Sequence, residues 1–285
     1  MMGDQRNYLY RYYAEFLERY KPKYFVFENV TGLLSATDHD NLLHLDKMLA
    51  LFRVIGYETE FKTLRAEDYG ILQSRKRVIL VGKRGRRTGF YPQPEKWTPN
   101  VQVSEVFTDL PKLNAGEGNI RSISLNPYNG SWLRTAGIRN GESEVTLHQA
   151  RTHTEQDLEI YRIAVDLWNQ KESRLEYDCL PERLKTHKNR KSFTDRFKVV
   201  AANLAHTHTV VAHIAKDGHY YIHPDIEQNR SLTPREAARL QTFPDDYYFE
   251  SASGRPSRTP AYRQIGNAVP VLLAEKIARK LMEIW

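Results

Sequence analysis

A carboxylate, Glu28, follows four apolar or aromatic residues, Tyr24 to Phe27, near the start of the sequence. This run predicts a short buried strand, with Glu28 placed where the strand ends. In open parallel sheets, ligands bind beyond the carboxyl ends of the strands, so Glu28 lies where an active site is expected. Taken alone, however, an acid at such a position is more often a helix cap or the partner of a surface lysine.

A second group of polar residues lies in the segment "QSRKR". In an extended chain, alternate residues share a face, so Gln73, Arg75 and Arg77 lie on one side and Ser74 and Lys76 on the other. Two guanidinium groups and an amide on one face suit phosphate or carbonyl recognition. The alternative interpretation is a solvated basic edge strand.

Metal binding has weaker support. Five histidines are concentrated in one segment, at His206, His208, His213, His219 and His223. Alternation could bring His206 and His208 to one face of a strand, but a metal site needs three or four convergent ligands. We therefore expect structural or DNA-facing histidines and no metal ion.

The elements that would position Glu28 and the "QSRKR" segment follow from hydrophobic periodicity. The spacing predicts one helix from Tyr8 to Tyr20 and another from Leu42 to Ile55. The segments "YETEFKTL" and "VILVGKR" are typical of strands. Alternation of helix and strand predicts a mostly parallel sheet covered on both faces, in a block that ends near Arg87.

The remainder of the chain divides into an irregular part and a helical part. From about Gly89 to Asn229 no period persists, apart from a predicted helix at "TEQDLEIYRIAVDLWN". Order returns at Thr233, an expected N-cap with Pro234 in the first helical position and Glu236 completing a capping box. A last helix is predicted after Pro270, with Leu273, Ile277 and Leu281 forming its apolar stripe.

Composition limits the class of protein. The 285 residues include 40% hydrophobic residues, enough for a sizeable core. The formal net charge of +7 favours a polyanionic partner such as nucleic acid without requiring one. No apolar run approaches the ~20 residues that span a bilayer, and the single cysteine, Cys179, fits a reducing compartment. We expect a soluble intracellular protein with no membrane partner.

Four blocks, taken in order, closely resemble the later signature blocks of the DNA cytosine-5 methyltransferase family. They are "FENVTGL", "DYGILQSRKRVILVGKR", "RSLTPREAARLQTFPDDY" and "YRQIGNAVPVLLAEKIA". The resemblance implies an α/β fold, the C-terminal part of an S-adenosylmethionine-dependent, Rossmann-like methyltransferase domain with an inserted irregular target recognition domain. Residues 1–88 would form the partial catalytic domain, 89–229 the recognition domain, and 230–285 the helices that return to the catalytic domain.

The same resemblance implies roles for individual residues. Glu28 matches the acid that hydrogen-bonds N3 and the amino edge of a flipped cytosine, and burial would help it to act as an acid. Arg77 matches the arginine that donates to cytosine O2. Arg75 is assigned more loosely, either to a backbone phosphate or to ordering the site.

Further residues are implied for the cofactor and the DNA. Asn267 and Val269 match the block that packs beside S-adenosylmethionine. Gln73, Arg75 and Lys76 are expected to contact double-stranded DNA. The implied setting is restriction–modification in the cytoplasm, associated with the nucleoid, in a bacterial or phage system.

The sequence also departs from the family pattern. It lacks a glycine-rich cofactor loop, the acidic residue after the second strand, and the Pro-Cys dipeptide that bears the nucleophile. Cys179 in "EYDCLPER" lies in the variable insert and does not match the nucleophile. "NAGEGN" is expected to be a surface turn.

We therefore expect half of a methyltransferase, either a subunit of a split enzyme or a fragment of a longer product. It would be inactive alone, and its exposed apolar surfaces would be covered by a complementary subunit or by self-association. The alternatives are a catalytically silent relative that regulates by binding DNA or an active enzyme, and an unrelated DNA-binding module.

Overall fold

The computed structural model describes residues 8–85, 87–187 and 194–285. The chain forms two compact units. The first consists of the described residues up to Tyr69, within 75–96, and from 275 to 285; the second consists of 70–74 and the described residues within 97–274. These divisions differ from those predicted at 88/89 and 229/230, and the assignment of 89–229 to target recognition stays a prediction.

The first unit is built around a three-stranded sheet. Its elements are α1 (Leu9–Tyr20), β1 (Tyr24–Val30), α2 (His44–Val54), β2 (Tyr57–Arg65) and β3 (Lys76–Arg84). The predicted helices and strands are therefore confirmed. However, β1 continues through Val30, so Glu28 lies within the strand and not at its end.

The predicted mostly parallel arrangement is wrong for this sheet. The strand order is β1-β3-β2, and β3 runs antiparallel to both of its neighbours. Parallel neighbours need a long crossover, usually a helix, whereas the connection between β2 and β3 is only residues 66–75. Alternation of helix and strand led to the wrong prediction because β2 and β3 have no α-helix between them.

The core of the first unit is an aromatic cluster between the sheet and its two helices. Phe25 lies at its centre, with ring centroids 5.0 Å from Phe52 and 5.2 Å from Tyr57. On the adjacent strand, a Cβ atom at Gly82 would lie 2.0 Å from the Phe25 ring. Only glycine leaves room for that ring, which fixes the packing of β1 against β3.

The second unit is irregular, as predicted for most of its length. It contains two pairs of two-residue strands, β4 (Gly118–Asn119) with β7 (His148–Gln149) and β5 (Ile123–Ser124) with β6 (Glu144–Val145). Its helices are α3 (Trp132–Thr135), α4 (Glu155–Lys171), α5 (Pro234–Leu240) and α6 (Arg258–Asn267), and α7 follows at Val271–Glu283. The predicted stripe on α7 is confirmed, because Leu273, Ile277 and Leu281 are buried.

Helix α5 is the most deeply buried helix of the second unit, with all seven of its residues inside. The predicted capping box is confirmed: the Thr233 hydroxyl accepts from Glu236 N, and Glu236 Oε2 accepts from Thr233 N. Arg230 donates two further hydrogen bonds to the Glu236 carboxylate, of 2.7 and 2.8 Å. The cap therefore also anchors the chain that leads into the helix.

The described residues include neither a membrane-spanning helix nor a metal-binding cluster. Every helix in the described ranges is too short or too polar to cross a bilayer. The same residues contain no group of three or more His, Cys, Asp or Glu side chains placed to hold a metal ion.

Candidate active site

The register of the sheet brings Glu28 and Arg77 to the same face. Residues that oppose each other on adjacent strands project to the same side, and Glu28 opposes Ile79 while Val30 opposes Arg77. Glu28 and Arg77 are therefore diagonal neighbours. The chain separation of these two residues gives no hint of this proximity, which arises from the antiparallel pairing of β1 with β3.

The two side chains form an ion pair without a directed hydrogen bond. Arg77 Nε lies 2.7 Å from Glu28 Oε1, with side-chain exposures of 12% and 29%. The N–H is not directed at the oxygen, so the buried Oε1 receives no hydrogen bond from the described residues. Oε1 thus lies in close contact with the guanidinium without receiving a directed hydrogen bond.

Arg77 is held by its surroundings in a defined position. Its Nη1 donates to the Lys76 carbonyl at 2.8 Å, and its Nη2 has no hydrogen-bond partner in the described part of the chain. Burial lowers the pKa of Arg77 from its ordinary value, although the Glu28 carboxylate opposes that shift. The guanidinium remains a cation with donors free to meet a ligand.

The neighbours of Arg77 follow the predicted alternation in their burial. Arg75 is only 1% exposed, and its main chain is anchored on both sides: its N–H donates to Glu67 Oε2 and its carbonyl accepts from Ala66 N. Lys76 is exposed. Of the two roles foreseen for Arg75, this burial favours ordering the site over contact with phosphate, whereas Lys76 is placed where DNA could reach it.

Gln73 belongs to the second unit and is completely buried. Its amide nitrogen donates to the Leu240 carbonyl at 2.8 Å and to Gln241 Oε1 at 3.1 Å, and its oxygen accepts from Val210 N at 2.7 Å. With its amide engaged in this way, Gln73 is not available to contact DNA. The prediction of a DNA contact did not anticipate that this side chain lies in the interior.

Asn267 is the last residue of α6, and Val269 lies in the short link between α6 and α7. Asn267 is exposed, with no hydrogen bond to its side chain among the described residues, and Val269 is half-buried. The preceding Gly266 permits close backbone packing, because a Cβ there would lie 2.2 Å from Ala212 N. The end of α6 therefore presents Asn267 from a tightly packed base.

Sequence reasoning missed the residues that hold the end of α6 and this link. The buried Gln241 donates to the Ile265 carbonyl at 2.8 Å and accepts from Val271 N through its own carbonyl. Thr242, which has a positive φ of 55°, accepts from Leu272 N at 3.0 Å. Both residues belong to the "RLQTF" stretch. Their position, as two polar residues directly after a predicted helix, was the sequence signal that could have identified them.

The histidine segment does not form the strand expected to align His206 and His208. The chain is irregular there, with an isolated bridge between Gln73 and Thr207. His208 Nε2 donates to the Tyr220 carbonyl at 2.6 Å, and burial lowers its pKa to about 4, so the ring is neutral. This histidine has a structural role.

Two other predicted features lie on the surface of the second unit. Cys179 is exposed at the end of a 3₁₀ turn, Tyr177–Cys179. The predicted turn at "NAGEGN" is confirmed: Glu117 N donates to the Asn114 carbonyl, and Gly116 and Gly118 both have positive φ.

Comparison with known proteins defines the class. The fold resembles the crystal structure of a DNA modification methyltransferase encoded within an Escherichia coli prophage, with a TM-score of 0.67 over 99% of this chain and 75% of that one. The sequence identity is 21%, so this likeness concerns the fold alone. The fold is that of a DNA methyltransferase with mixed α/β content.

The sequence comparisons identify the family. The chain matches the C-5 cytosine-specific DNA methylase family over residues 1–283, and it belongs to that family. It is 42% identical to a type II methyltransferase of Bacillus paralicheniformis, across 99% of this chain and 64% of that protein. It is 31% identical to one from Desulfomicrobium norvegicum, across 98% and 67%. The chain thus spans about two thirds of the length of these relatives.

Proposed function

We propose that this chain supplies the base-polarising and DNA-recognition portion of a DNA cytosine-5 methyltransferase of a restriction–modification system. The reaction would transfer a methyl group from S-adenosylmethionine to cytosine C5. The observation that carries the proposal is the Glu28–Arg77 pair, in which a buried carboxylate oxygen receives no directed hydrogen bond. Family membership supplies the reaction class.

The chemistry explains why such a pair is needed. Cytosine C5 is a weak nucleophile until a thiolate adds at C6, and the electron density pushed into the ring must then be stabilised. A carboxyl group at Glu28 can donate a proton to N3 and accept from the exocyclic amino group. Arg77 Nη2 can donate to O2. Together these contacts select a cytosine and stabilise the activated ring.

The end of α6, which carries Asn267, and the link to α7, which carries Val269, are proposed to hold the cofactor. The exposed Asn267 amide offers both a donor and an acceptor, and the buried Gln241 fixes the end of α6 beneath it. These groups suit the polar part of S-adenosylmethionine, which supplies the methyl group when bound. Arg75, buried directly before the strand that carries Arg77, would order the site.

The nucleophile is proposed to come from a segment outside the printed sequence. Cys179 is the one cysteine of this sequence, and it lies on an exposed turn of the second unit, in a sequence context unlike the family's Pro-Cys dipeptide. The complementary segment would carry that dipeptide and a glycine-rich cofactor loop. The chain by itself is then incapable of the covalent step.

Residues 89–229 are proposed to read the DNA sequence. Irregular structure with exposed loops suits base-edge recognition, because side chains on loops can follow the major groove. The net charge of +7 supports attraction to the phosphate backbone. Exchanging 89–229 for the corresponding part of the Bacillus relative should change the methylated sequence and leave the reaction unchanged.

The test is reconstitution. The chain is expressed with the part of the Bacillus relative that lies outside its match to this chain, and the mixture is assayed with labelled S-adenosylmethionine and duplex DNA. We expect 5-methylcytosine from the mixture and none from the chain alone. A duplex containing 5-fluorocytosine should trap a covalent adduct only in the mixture. An adduct formed by the chain alone and abolished by Cys179→Ser would overturn the proposal.

A further inference from the structure

A cavity of about 400 Å³ lies within the second unit. Its walls come from stretches that are distant in sequence: 104–112, Asn126, Ala202 and the chain from His223 to Glu236. The volume falls within about 300–1,000 Å³, the usual range of small-molecule sites. None of the described residues that line it belongs to the candidate active site.

Hydrogen bonds join the walls of this cavity. Ser104 N donates to the Ala202 carbonyl at 2.9 Å, and Leu113 N donates to Gln228 Oε1 at 3.0 Å. Each bond connects stretches that are far apart in the chain. The fold itself therefore shapes the cavity, as is usual for small-molecule sites, which are largely pre-formed.

Much of the wall is apolar, with one aromatic ring. Leu110, Pro111 and Pro224 contribute apolar surface. The half-buried Phe107 adds its ring, whose centroid lies 4.8 Å from that of His223 with an angle of 64° between the planes. An aromatic ring in an apolar wall favours a planar ligand, which can pack against the face or the edge of that ring.

His223 contributes a polar atom without a partner. The residue is 2% exposed, and its Nδ1 accepts from Asp225 N at 3.1 Å. In the described part of the chain its Nε2 has no hydrogen bond, since Glu236 Oε1 is 3.6 Å away. Burial lowers the pKa of His223 to about 3, so the ring is neutral and carries its proton on Nε2. Nε2–H is thus a buried donor that calls for an acceptor.

The charges around the cavity are balanced. Among the described lining residues the charged side chains are Lys112, Asp225 and Glu236. Lys112 Nζ lies 3.0 Å from Asp225 Oδ2, and Glu236 is paired with Arg230. A ligand with a net charge would lose its hydration without gaining a counter-charge, so the cavity favours a neutral ligand.

Asn126 gives the cavity a polar group on its solvent side. This residue is exposed, and its side-chain amide makes no hydrogen bond within the described ranges. An amide offers a donor and an acceptor side by side, which matches the edge of a heterocyclic base. The lining therefore combines an aromatic ring, a buried donor and an amide, without net charge.

We propose that this cavity is a second binding site and that it takes a neutral nucleobase, whose ring packs against Phe107, whose acceptor meets His223 Nε2–H and whose edge meets the Asn126 amide. A free nucleoside and an unstacked nucleotide of a strand present the same ring, so the experiment separates these two sources. The inference does not depend on the proposed transfer reaction, because the two sites share no residue.

The experiment measures binding by the full chain and requires no methyl transfer. The probes are adenosine, guanosine, cytidine and thymidine, together with two single strands of equal length, one of mixed sequence and one abasic throughout. The abasic strand keeps the phosphates and corrects for their attraction to a protein of net charge +7. We expect calorimetry to show saturable binding of a nucleoside, or tighter binding of the strand with bases if the source is a nucleic acid.

Paired variants test the residues that carry the proposal. His223→Asn keeps an acceptor for Asp225 N and removes the Nε2 donor, and Phe107→Leu keeps an apolar wall and removes the ring. Each should weaken binding by about tenfold. The matched controls are His39→Asn and Phe61→Leu, exposed side chains of the first unit, which should bind as the unmodified chain does.

An exposed position and a spectroscopic signal separate binding from folding. Asn126→Ala lies outside the core and should weaken binding by about fivefold. The Nε2 proton resonance of His223 should shift as the ligand saturates the chain. The proposal is overturned if no nucleoside binds and the two strands bind equally, or if the three cavity variants bind as well as the controls. Failure of methyl transfer by the reconstituted enzyme would contradict the proposed function and leave this site intact.

Discussion

Two arginine–glutamate pairs in this protein differ in how completely they are satisfied. Arg230 and Glu236 are 0% and 1% exposed and make two directed hydrogen bonds to one another. Arg77 and Glu28 are partly exposed and meet at one atom pair, 2.7 Å apart, without a directed hydrogen bond. Both pairs lie in sequence blocks that match the same family, yet only the first pair is fully hydrogen-bonded.

The remaining contacts of Arg230 complete that network. Its Nε donates to the Leu113 carbonyl, and its Nη groups also reach the Ser231 carbonyl and Gln228 Oε1. Every nitrogen of the guanidinium is used. A fully satisfied buried pair holds structure, whereas a buried acceptor without a donor is suited to receive a ligand. The difference separates a structural pair from a candidate catalytic one.

The largest effect on stability is expected for Arg230→Ala. It leaves the Glu236 carboxylate buried without its cation, and breaking such a pair costs about 3–5 kcal/mol. Urea unfolding should show this loss in the free energy of unfolding. Arg77→Ala, which removes the partner of a partly exposed carboxylate, is the matched control and should cost far less. Equal losses in the two variants would remove the distinction between the pairs.

A smaller effect on stability is expected from protonation of His223, which lies beside the Arg230–Glu236 pair. Burial, and then the nearby Arg230 cation, lower the pKa of His223 to about 3, although Glu236 and Asp225 oppose the shift. Since this folded-state pKa lies below the unfolded value near 6.5, stability is lost as the pH falls from about 6.5 towards 3. One proton contributes about 1.4 kcal/mol per pH unit, or about 2 kcal/mol between pH 6.5 and 5.

The variant His223→Asn tests this contribution. It keeps an acceptor for Asp225 N, which now donates to His223 Nδ1, and removes the titrating ring. Unfolding free energies measured from pH 7 to 5 should fall less steeply in the variant. Curves with the same slope would show that the acid sensitivity of this region has another origin.

The smallest effect on stability is expected for Glu28→Gln. The pair with Arg77 is partly solvated and lacks a directed hydrogen bond, so its loss should change the free energy of unfolding by no more than about 1 kcal/mol. Urea unfolding of the chain alone gives the value. A loss as large as that of Arg230→Ala would assign Glu28 a structural role.

Local sequence patterns predicted much of the fold. The spacing of apolar residues located α1 and α2, and Thr233, Pro234 and Glu236 predicted the start of α5 correctly, because these signals depend on neighbouring residues. The orientation of the strands was not predictable in this way. Pairing depends on contacts between β1, β2 and β3 that are distant in sequence, and a short link without a helix was the only local clue.

The candidate site shows the same limit. The resemblance to the family pointed to Glu28 and Arg77, but their approach to 2.7 Å depends on the register between β1 and β3. Alternation in "QSRKR" did not indicate that Gln73 and Arg75 would be buried. The supporting role of Gln241 emerged only from the fold, since the Ile265 carbonyl that it contacts lies at the end of α6, more than 20 residues further along the chain.

Single-turnover methyl transfer by Glu28→Gln in the reconstituted enzyme tests the central claim most directly. Loss of a positioned acid typically lowers a rate by about 10²–10⁴-fold, and we expect a reduction of that size with duplex binding nearly unchanged. The control is Glu58→Gln on β2, which removes an exposed ion pair with Arg53 and should retain full activity. Transfer by Glu28→Gln at the rate of the unmodified enzyme would contradict the account.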